Sequence, residues 1–429
     1  MTIEQIYKLF QKHPKVVTDS RNIVQDCLFF ALKGDRFNGN KFAEEAIEKG
    51  AAFAFVDEKV YQTSEKTILV ENVLQTLQRL AHFHRKKLGI PIVGITGSNG
   101  KTTTKELIAA VLSEKYRVAF TQGNLNNHIG VPLTLLSMHN TTEIGVVEMG
   151  ANHPYEIGEL CAIADPDFGI VTNIGRAHLG GFGSFETIKK TKAELYGHLK
   201  RKGGTVFYNN DNSILKKIIG DYPGKVSYGR KAADITGEPV SSPPYLHVKV
   251  NFPEGTLYLN TQLTGGYNFE NIMAAACIGN YFQVDSMKIQ EAVKNYRPQN
   301  NRSQFVEKNN LKIIMDAYNA NPTSMQAAIE SFVSTFPSPR ILILGDMLEL
   351  GEQALKEHIS ILEQTKKHPF EEVFLVGPIF EKAAQNFAYL TFSDVSALCS
   401  RLVQKPIKNG TVLIKGSRGI QLEKVIDFL

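Results

Sequence analysis

Four cysteines are all that the 429 residues contain, and Cys27, Cys161, Cys277 and Cys399 lie more than a hundred positions apart. No CxxC pair forms, so zinc and disulfide readings fall away and reduced, buried small residues are expected. No apolar run approaches the length of a membrane span, and Met1-Thr2-Ile3-Glu4-Gln5 lacks the basic segment and apolar core of a secretory signal. A cytoplasmic protein with no membrane partner is expected. Asn-x-Ser/Thr matches such as Asn301-Arg302-Ser303 then carry no glycosylation meaning. Charge is also far from extreme: 48 basic residues face 43 acidic ones, net +5, without a long basic run, so nucleic acid is not an expected partner. Internal repeats and low-complexity tracts are absent as well.

What remains is an ordinary globular composition, 43% hydrophobic and 21% charged with 34 Gly and 17 Pro. The length corresponds to about three domains at the usual 100 to 200 residues each. Strand and helix patterns alternate, which predicts an α/β protein: a small α/β domain over 1–84, a central mostly parallel sheet of P-loop type over 85–298, and a doubly wound, Rossmann-like domain over 299–429.

In the first domain, strand-like Leu28–Leu32 is followed by a polar turn, Lys33 to Asn40, a helix from Phe42 to Lys49, and a second strand, Ala52–Val56. Upstream, Asp19-Ser20-Arg21 combines a turn with a guanidinium suited to phosphate or carboxylate, but from these residues alone a plain surface turn is the preferred reading.

The chain is organised around Ile92-Val93-Gly94-Ile95-Thr96-Gly97-Ser98-Asn99-Gly100-Lys101-Thr102-Thr103. An apolar strand runs into a glycine-bracketed turn and then a helix. Gly97 and Gly100 let backbone N–H groups point into one concavity at the positive end of that helix, where a polyphosphate is stabilised by hydrogen bonds and dipole together. Lys101 would reach the terminal phosphates and Thr102 would place its hydroxyl on Mg²⁺. The strict GxxxxGK[ST] pattern is not met, because Ile95 stands where its first glycine belongs.

Further along, Asn124, Asn126 and Asn127 either build turns or bind ligand. Glu148 ends a strand beside the phosphate loop, where a Mg²⁺-organising acid belongs. His178 also sits just past a strand end, which leaves a structural role and a metal or phosphate role open. Lys189, Lys190 and Lys192 share a helix, a pattern that normally marks a solvated face. Residues 225–262 look β-rich, and Gly265 to Ala276 opens a helix of small residues that permits close approach of a flat ligand or another backbone. In the last domain, Asp316 through Pro322 places an acid and amides at a strand end, suited to a ribose or a metal. No Gly-x-Gly-x-x-Gly opens this domain, so a dinucleotide is not expected.

Taken in order, Gly97-Ser98-Asn99-Gly100-Lys101-Thr102-Thr103, Glu148 to His153, Asn173 to Leu179, Lys192 to Tyr196 and Asp316 to Pro322 resemble the Mur ligases, the ATP-dependent amide-bond enzymes of peptidoglycan synthesis. Leu344 to Gly351 and Gly416-Ser417-Arg418-Gly419 resemble the branch that adds D-alanyl-D-alanine to UDP-N-acetylmuramoyl-tripeptide; a relative adding a single amino acid is the alternative. The resemblance implies that Lys101 and Thr102 hold the ATP phosphates and a first Mg²⁺, and that Glu148 and His178 serve the metal sites. It further implies that Lys192 becomes a carbamate ligand of a second Mg²⁺, Asn271 meets adenine, Asp316 meets ribose, and Arg302 reaches the γ-phosphate. Asp19, Ser20 and Arg21 resemble the UDP-binding part, and a monomer is implied. Three positions depart from the family pattern: Asn301 replaces glycine, Gly180 stands where glutamate is frequent, and Asn40 where histidine is frequent. Asparagine tolerates a left-handed backbone, so the turn at Asn301 is expected to survive.

Overall fold

The computed structural model describes every residue except Arg36 and Asn300, so these members of the expected polar turn and of the expected boundary stretch lie outside the described residues. A first sheet orders Val16–Val17, Leu28–Phe30, Phe53–Val56 and Thr67–Leu69, all parallel. Leu28, Phe29 and Phe30 are all buried, as an apolar run covered on both faces must be. The strand stops at Phe30, short of the expected Leu32, because the chain folds back: Gly39 N–H donates to the Leu32 carbonyl at 2.9 Å. A side chain at Gly39 would meet that same oxygen at 2.3 Å. The expected helix from Phe42 begins instead with a 3₁₀ turn, Gly39–Phe42, and continues as Ala43–Glu48.

Helix Val73–Leu88 starts on an Asn72 cap, whose side chain accepts from Gln75 N–H, and ends at Gly89 with φ +64°. Its buried stripe is Val73, Leu77, Leu80, Ala81, His84 and Arg85, the three-to-four spacing of one helix face. That stripe joins Phe30 and Phe55 of the first sheet and Val131, Leu135 and Leu160 of the next unit into one core. Position 84 therefore falls inside a helix whose buried face packs on both units.

The central sheet has nine strands. Ile92–Thr96 lies between Phe168–Val171 and Ile144–Glu148, parallel to both, so three carboxyl ends open side by side. Within the β-rich 225–262 region, Lys225–Gly229 and Ile235–Ser242 continue the parallel part, and Tyr245–Phe252 and Gly255–Asn260 extend it by antiparallel pairing. Helices Lys101–Ser113 and Phe269–Tyr281 pack together on one face. The small residues of the latter serve that contact: a side chain at Gly279 would meet Val111 at 2.4 Å.

The third sheet orders Gln304–Lys308, Leu311–Asp316, Gly410–Lys415, Arg340–Gly345, Glu372–Val376 and Leu390–Phe392, parallel except for the first pair. Asp316, Lys415 and Gly345 end three adjacent strands, the edge at which doubly wound sheets bind ligands. No helix among the described residues is long and apolar enough to cross a membrane.

Candidate active site

The loop after Ile92–Thr96 has the backbone its glycines predict, with φ +145° at Gly97 and +78° at Gly100. It is clamped to the neighbouring strand end: Ser98 N–H donates to Asn173 O at 3.0 Å, Ser98 Oγ to Gly175 O at 3.1 Å, and Asn99 N–H to Asn173 Oδ1 at 2.9 Å. Lys101 opens the helix and its Nζ donates to Gly97 O at 2.9 Å. Burial holds Lys101 below the ordinary lysine pKa, with Glu148 opposing the shift and Arg302 adding to it.

Glu148 is 1% exposed, so it is not a solvated loop residue. Its Oε1 accepts from Asn126 Nδ2 at 2.8 Å and from Thr102 Oγ1 at 3.3 Å. Its Oε2 has no hydrogen-bond partner among the described residues and lies 4.0 Å from Lys105 Nζ. A buried carboxylate oxygen left over beside a threonine hydroxyl fits an oxygen-coordinated Mg²⁺. Among the described residues no group of three His, Cys, Asp or Glu side chains could hold a metal. Such a site therefore suits an ion that takes one or two protein oxygens and completes its shell with phosphate and water.

His178 takes a left-handed backbone, φ +52°, and its Nδ1 lies 2.5 Å from Glu349 Oε2, an ion-pair distance without hydrogen-bond alignment. Lys192 is not on a solvated face. Ile188, Thr191, Lys192, Leu195, Tyr196 and Leu199 form the inner stripe of helix Phe185–Lys202, so periodicity puts Lys192 inside. Burial first, and the Lys101 charge second, lower its pKa to about 7 against the pull of Glu156 and Glu194. A lysine there is substantially a free amine at neutral pH.

From the third sheet, the Arg302 guanidinium stacks 3.5 Å over the Tyr318 ring, and its buried Nε has no partner among the described residues. Asn301 is left-handed with φ +55°, as its tolerance predicts. Asp316 is held by Lys415 Nζ at 2.6 Å and by Ser303 N–H at 3.2 Å. Asn271 accepts from Thr104 Oγ1 at 3.0 Å and donates to Asn268 Oδ1 at 2.8 Å. The two sheets meet directly where Asn321 Nδ2 donates to Asn99 Oδ1 at 2.7 Å.

One cavity of about 910 Å³ gathers Ser98 through Thr103, Asn126, Asn127, Glu148, His178, Asn271, Arg302 and Asp316. Gly97 and Lys192 do not line it; Lys192 Nζ sits 3.5 Å from the carbonyl of Ala151, which does. Asp19, Ser20 and Arg21 also lie outside it, and the Arg21 guanidinium is bound to Asp19 itself at 2.6 Å. The asparagines divide: Asn126 orients Glu148, while Asn127 Oδ1 accepts from Ile129 and Gly130 N–H groups at the start of helix Gly130–Leu136. Asn40 is buried in the 3₁₀ turn, bonded to Asn38 and to Asp57 just past the strand Phe53–Val56. Sequence reasoning missed Lys105, fully buried behind Glu148, and Lys415 beneath Asp316. Lys105 lies one helical turn after Lys101, and that spacing was the available signal.

A phosphate-type loop, a buried acid beside its threonine, and an arginine brought by a second sheet define a nucleotide-dependent group-transfer enzyme whose site is shared between domains. Three family descriptions match the chain: "Mur ligase family, catalytic domain" over 15–85, "Mur ligase middle domain" over 95–279, and "Mur ligase, glutamate ligase domain" over 301–418. The chain belongs to the Mur ligase family. It is 36% identical over 422 residues to the UDP-N-acetylmuramoyl-tripeptide--D-alanyl-D-alanine ligase of Bacillus subtilis, covering 96% of this chain and 92% of that one. The Escherichia coli ligase of the same name is 32% identical over 96% of this chain and 92% of its own. Among solved structures, MurF from Acinetobacter baumannii superposes with TM-score 0.89 at 27% identity, covering 99% of this chain and 98% of that one. MurF ligase from Thermotoga maritima in complex with ADP gives 0.85 at 30%, covering 96% of each.

Proposed function

We propose that the chain is the ATP-dependent ligase that adds D-alanyl-D-alanine to UDP-N-acetylmuramoyl-tripeptide in peptidoglycan precursor synthesis, acting as a cytoplasmic monomer with domains divided near 84 and 298. The observation that carries the nucleotide chemistry is the convergence of Lys101, Thr102, Glu148 and Arg302 on one cavity from two sheets. Full-length similarity to ligases of that name supports the substrate assignment.

A carboxylate is a poor acyl donor at neutral pH. Transfer of the γ-phosphoryl group to it gives an acyl phosphate, and the dipeptide amine then attacks the carbonyl and displaces phosphate. Lys101 and Arg302 offset charge on the transferring group, and the loop N–H groups hold the remaining phosphates. Asn271 and Asp316 line the same cavity and would meet the nucleoside. Thr102 and Glu148 would hold a Mg²⁺, which neutralises phosphate charge and aligns the transfer. Lys192, as the free amine its surroundings favour, would condense with CO₂ and lose a proton to give a carbamate, an anionic oxygen donor toward a second Mg²⁺ alongside His178. Asp19, Ser20 and Arg21 would meet the UDP end, at a distance from the reacting carboxylate.

The test is phosphate release from ATP and Mg²⁺ with UDP-N-acetylmuramoyl-tripeptide, with and without D-alanyl-D-alanine, and with single amino acids as controls. Release that needs both substrates, with a pentapeptide product, is expected. Release driven by a single amino acid would reassign the substrate, and full-rate release with ATP alone would refute ligation.

A further inference from the structure

Two short segments from different sheets meet beside the cavity: Arg176–Gly183 of the central unit and Met347–Gly351 of the last. Each carries a residue other than glycine in the left-handed region, His178 at φ +52° and Glu349 at φ +67°. Side chains rarely tolerate that backbone, and its occurrence at functional positions is a recognised pattern. Between them the backbones touch. Gly180 N–H donates to Glu349 O at 3.1 Å, and a side chain on Gly351 would lie 3.0 Å from Gly180 Cα. One on Gly180 would press on Gly351 N at 3.2 Å. This close approach brings Glu349 Oε2 to 2.5 Å from His178 Nδ1.

The segment that delivers Glu349 is fixed from behind, independently of His178. Met347 N–H donates to His358 Nε2 at 3.0 Å and Leu348 N–H to Ser417 Oγ at 2.9 Å. The carboxylate thus arrives on a preformed loop, and both His178 and Glu349 line the large cavity. A carboxylate at one ring nitrogen sets the tautomer and the ring orientation and makes the other nitrogen the better donor atom.

We propose that Glu349 is a positioning residue supplied by the C-terminal domain, which engages His178 Nδ1 on domain docking and so commits Nε2 to a cation in the cavity. The histidine is then set for its task only while the two domains are together. Arg176 provides a control at the same interface: its Nη1 pairs with Glu357 Oε1 at 3.2 Å, joining the same two domains without touching His178. This inference rests on the ligase reading of the cavity.

The experiment compares Glu349→Gln, which keeps the shape and removes the charge, Glu349→Gly, which removes the carboxylate without opposing the backbone, and Glu357→Gln. Mn²⁺ binding to the ADP-loaded proteins is measured by electron paramagnetic resonance, and the Mg²⁺ dependence of ligation in parallel. Loss of an outer partner of a metal-facing histidine weakens such binding by roughly 10- to 100-fold. Both Glu349 variants are expected to show it, together with a higher half-saturating Mg²⁺ concentration, while Glu357→Gln keeps wild-type Mn²⁺ affinity. Unchanged Mn²⁺ affinity in both Glu349 variants would overturn the proposal, as would equal losses in Glu349→Gln and Glu357→Gln, which would make the pair interface adhesion only. The binding readout stands apart from the reaction: a wild-type protein that binds Mn²⁺ but does not ligate would sink the ligase reading, whereas an active wild type with indifferent variants would sink the role of Glu349 alone.

Discussion

A lysine charged in water becomes a different reagent when a helix turns it inward. Lys192 is 2% exposed, and its pKa of about 7 leaves the free amine abundant near neutrality. Lys192→Ala should lower ligation at least 100-fold and leave melting nearly unchanged, with partial return in added acetate, which replaces the missing anionic oxygen; full activity in the alanine variant, measured by phosphate release, would refute the carbamate. The pH dependence has a definite sign. The depressed pKa means the amine is protonated only as pH falls through about 7, and protonation blocks reaction with CO₂. ¹³C-labelled CO₂ should therefore give a carbamate resonance that grows as pH rises from 6 to 8 and is absent in Lys192→Ala.

Elements were legible where their period was plain. The strand before the phosphate loop follows from an apolar run bounded by turn residues and is found at Ile92–Thr96, and the stretch expected to be β-rich over 225–262 holds the strands from Lys225–Gly229 to Gly255–Asn260. Helix Val73–Leu88 was not read, because it carries His82, His84, Arg85, Lys86 and Lys87 in its second half and its apolar stripe is narrow. Its last turns are held by polar contacts that no local pattern announces: Arg85 donates to Ala164 O and Asp165 O at 3.1 Å and pairs with Asp167 at 2.7 Å. Arg85→Ala should cost about 2 to 3 kcal/mol, less than a fully buried pair, because Asp167 keeps Lys202 and the Ile92 N–H. Chemical denaturation measures it; a change below half a kilocalorie would show the docking to be purely apolar. In the site, the loop and Glu148 could be derived from residue type and place alone. Lys192, Asn271 and Arg302 could be named only through resemblance, since a single lysine, asparagine or arginine far along the chain carries no sign of where folding brings it.

At the scale of the molecule, the cavity is assembled from parts held by separate sheets. Arg302 comes from the third sheet, stacked on Tyr318, and faces a loop built by the second. Arg302→Lys keeps the charge but loses the planar fork, and should lower kcat about 100-fold or more with little change in melting midpoint. Steady-state kinetics decide it; a kcat within threefold of wild type would show that a point charge suffices.

The helix whose buried face packs on both units has a practical meaning for anyone who wants to handle the protein in pieces. A cut after residue 84 severs Val73–Leu88 one turn before its end and strands its buried face, so neither fragment is expected to be soluble. With the proposed boundary near 298, residues 1–298 and 299–429 are the fragments to try, and mixing them offers a route to ask whether an arginine delivered by a separate polypeptide can still serve the other half.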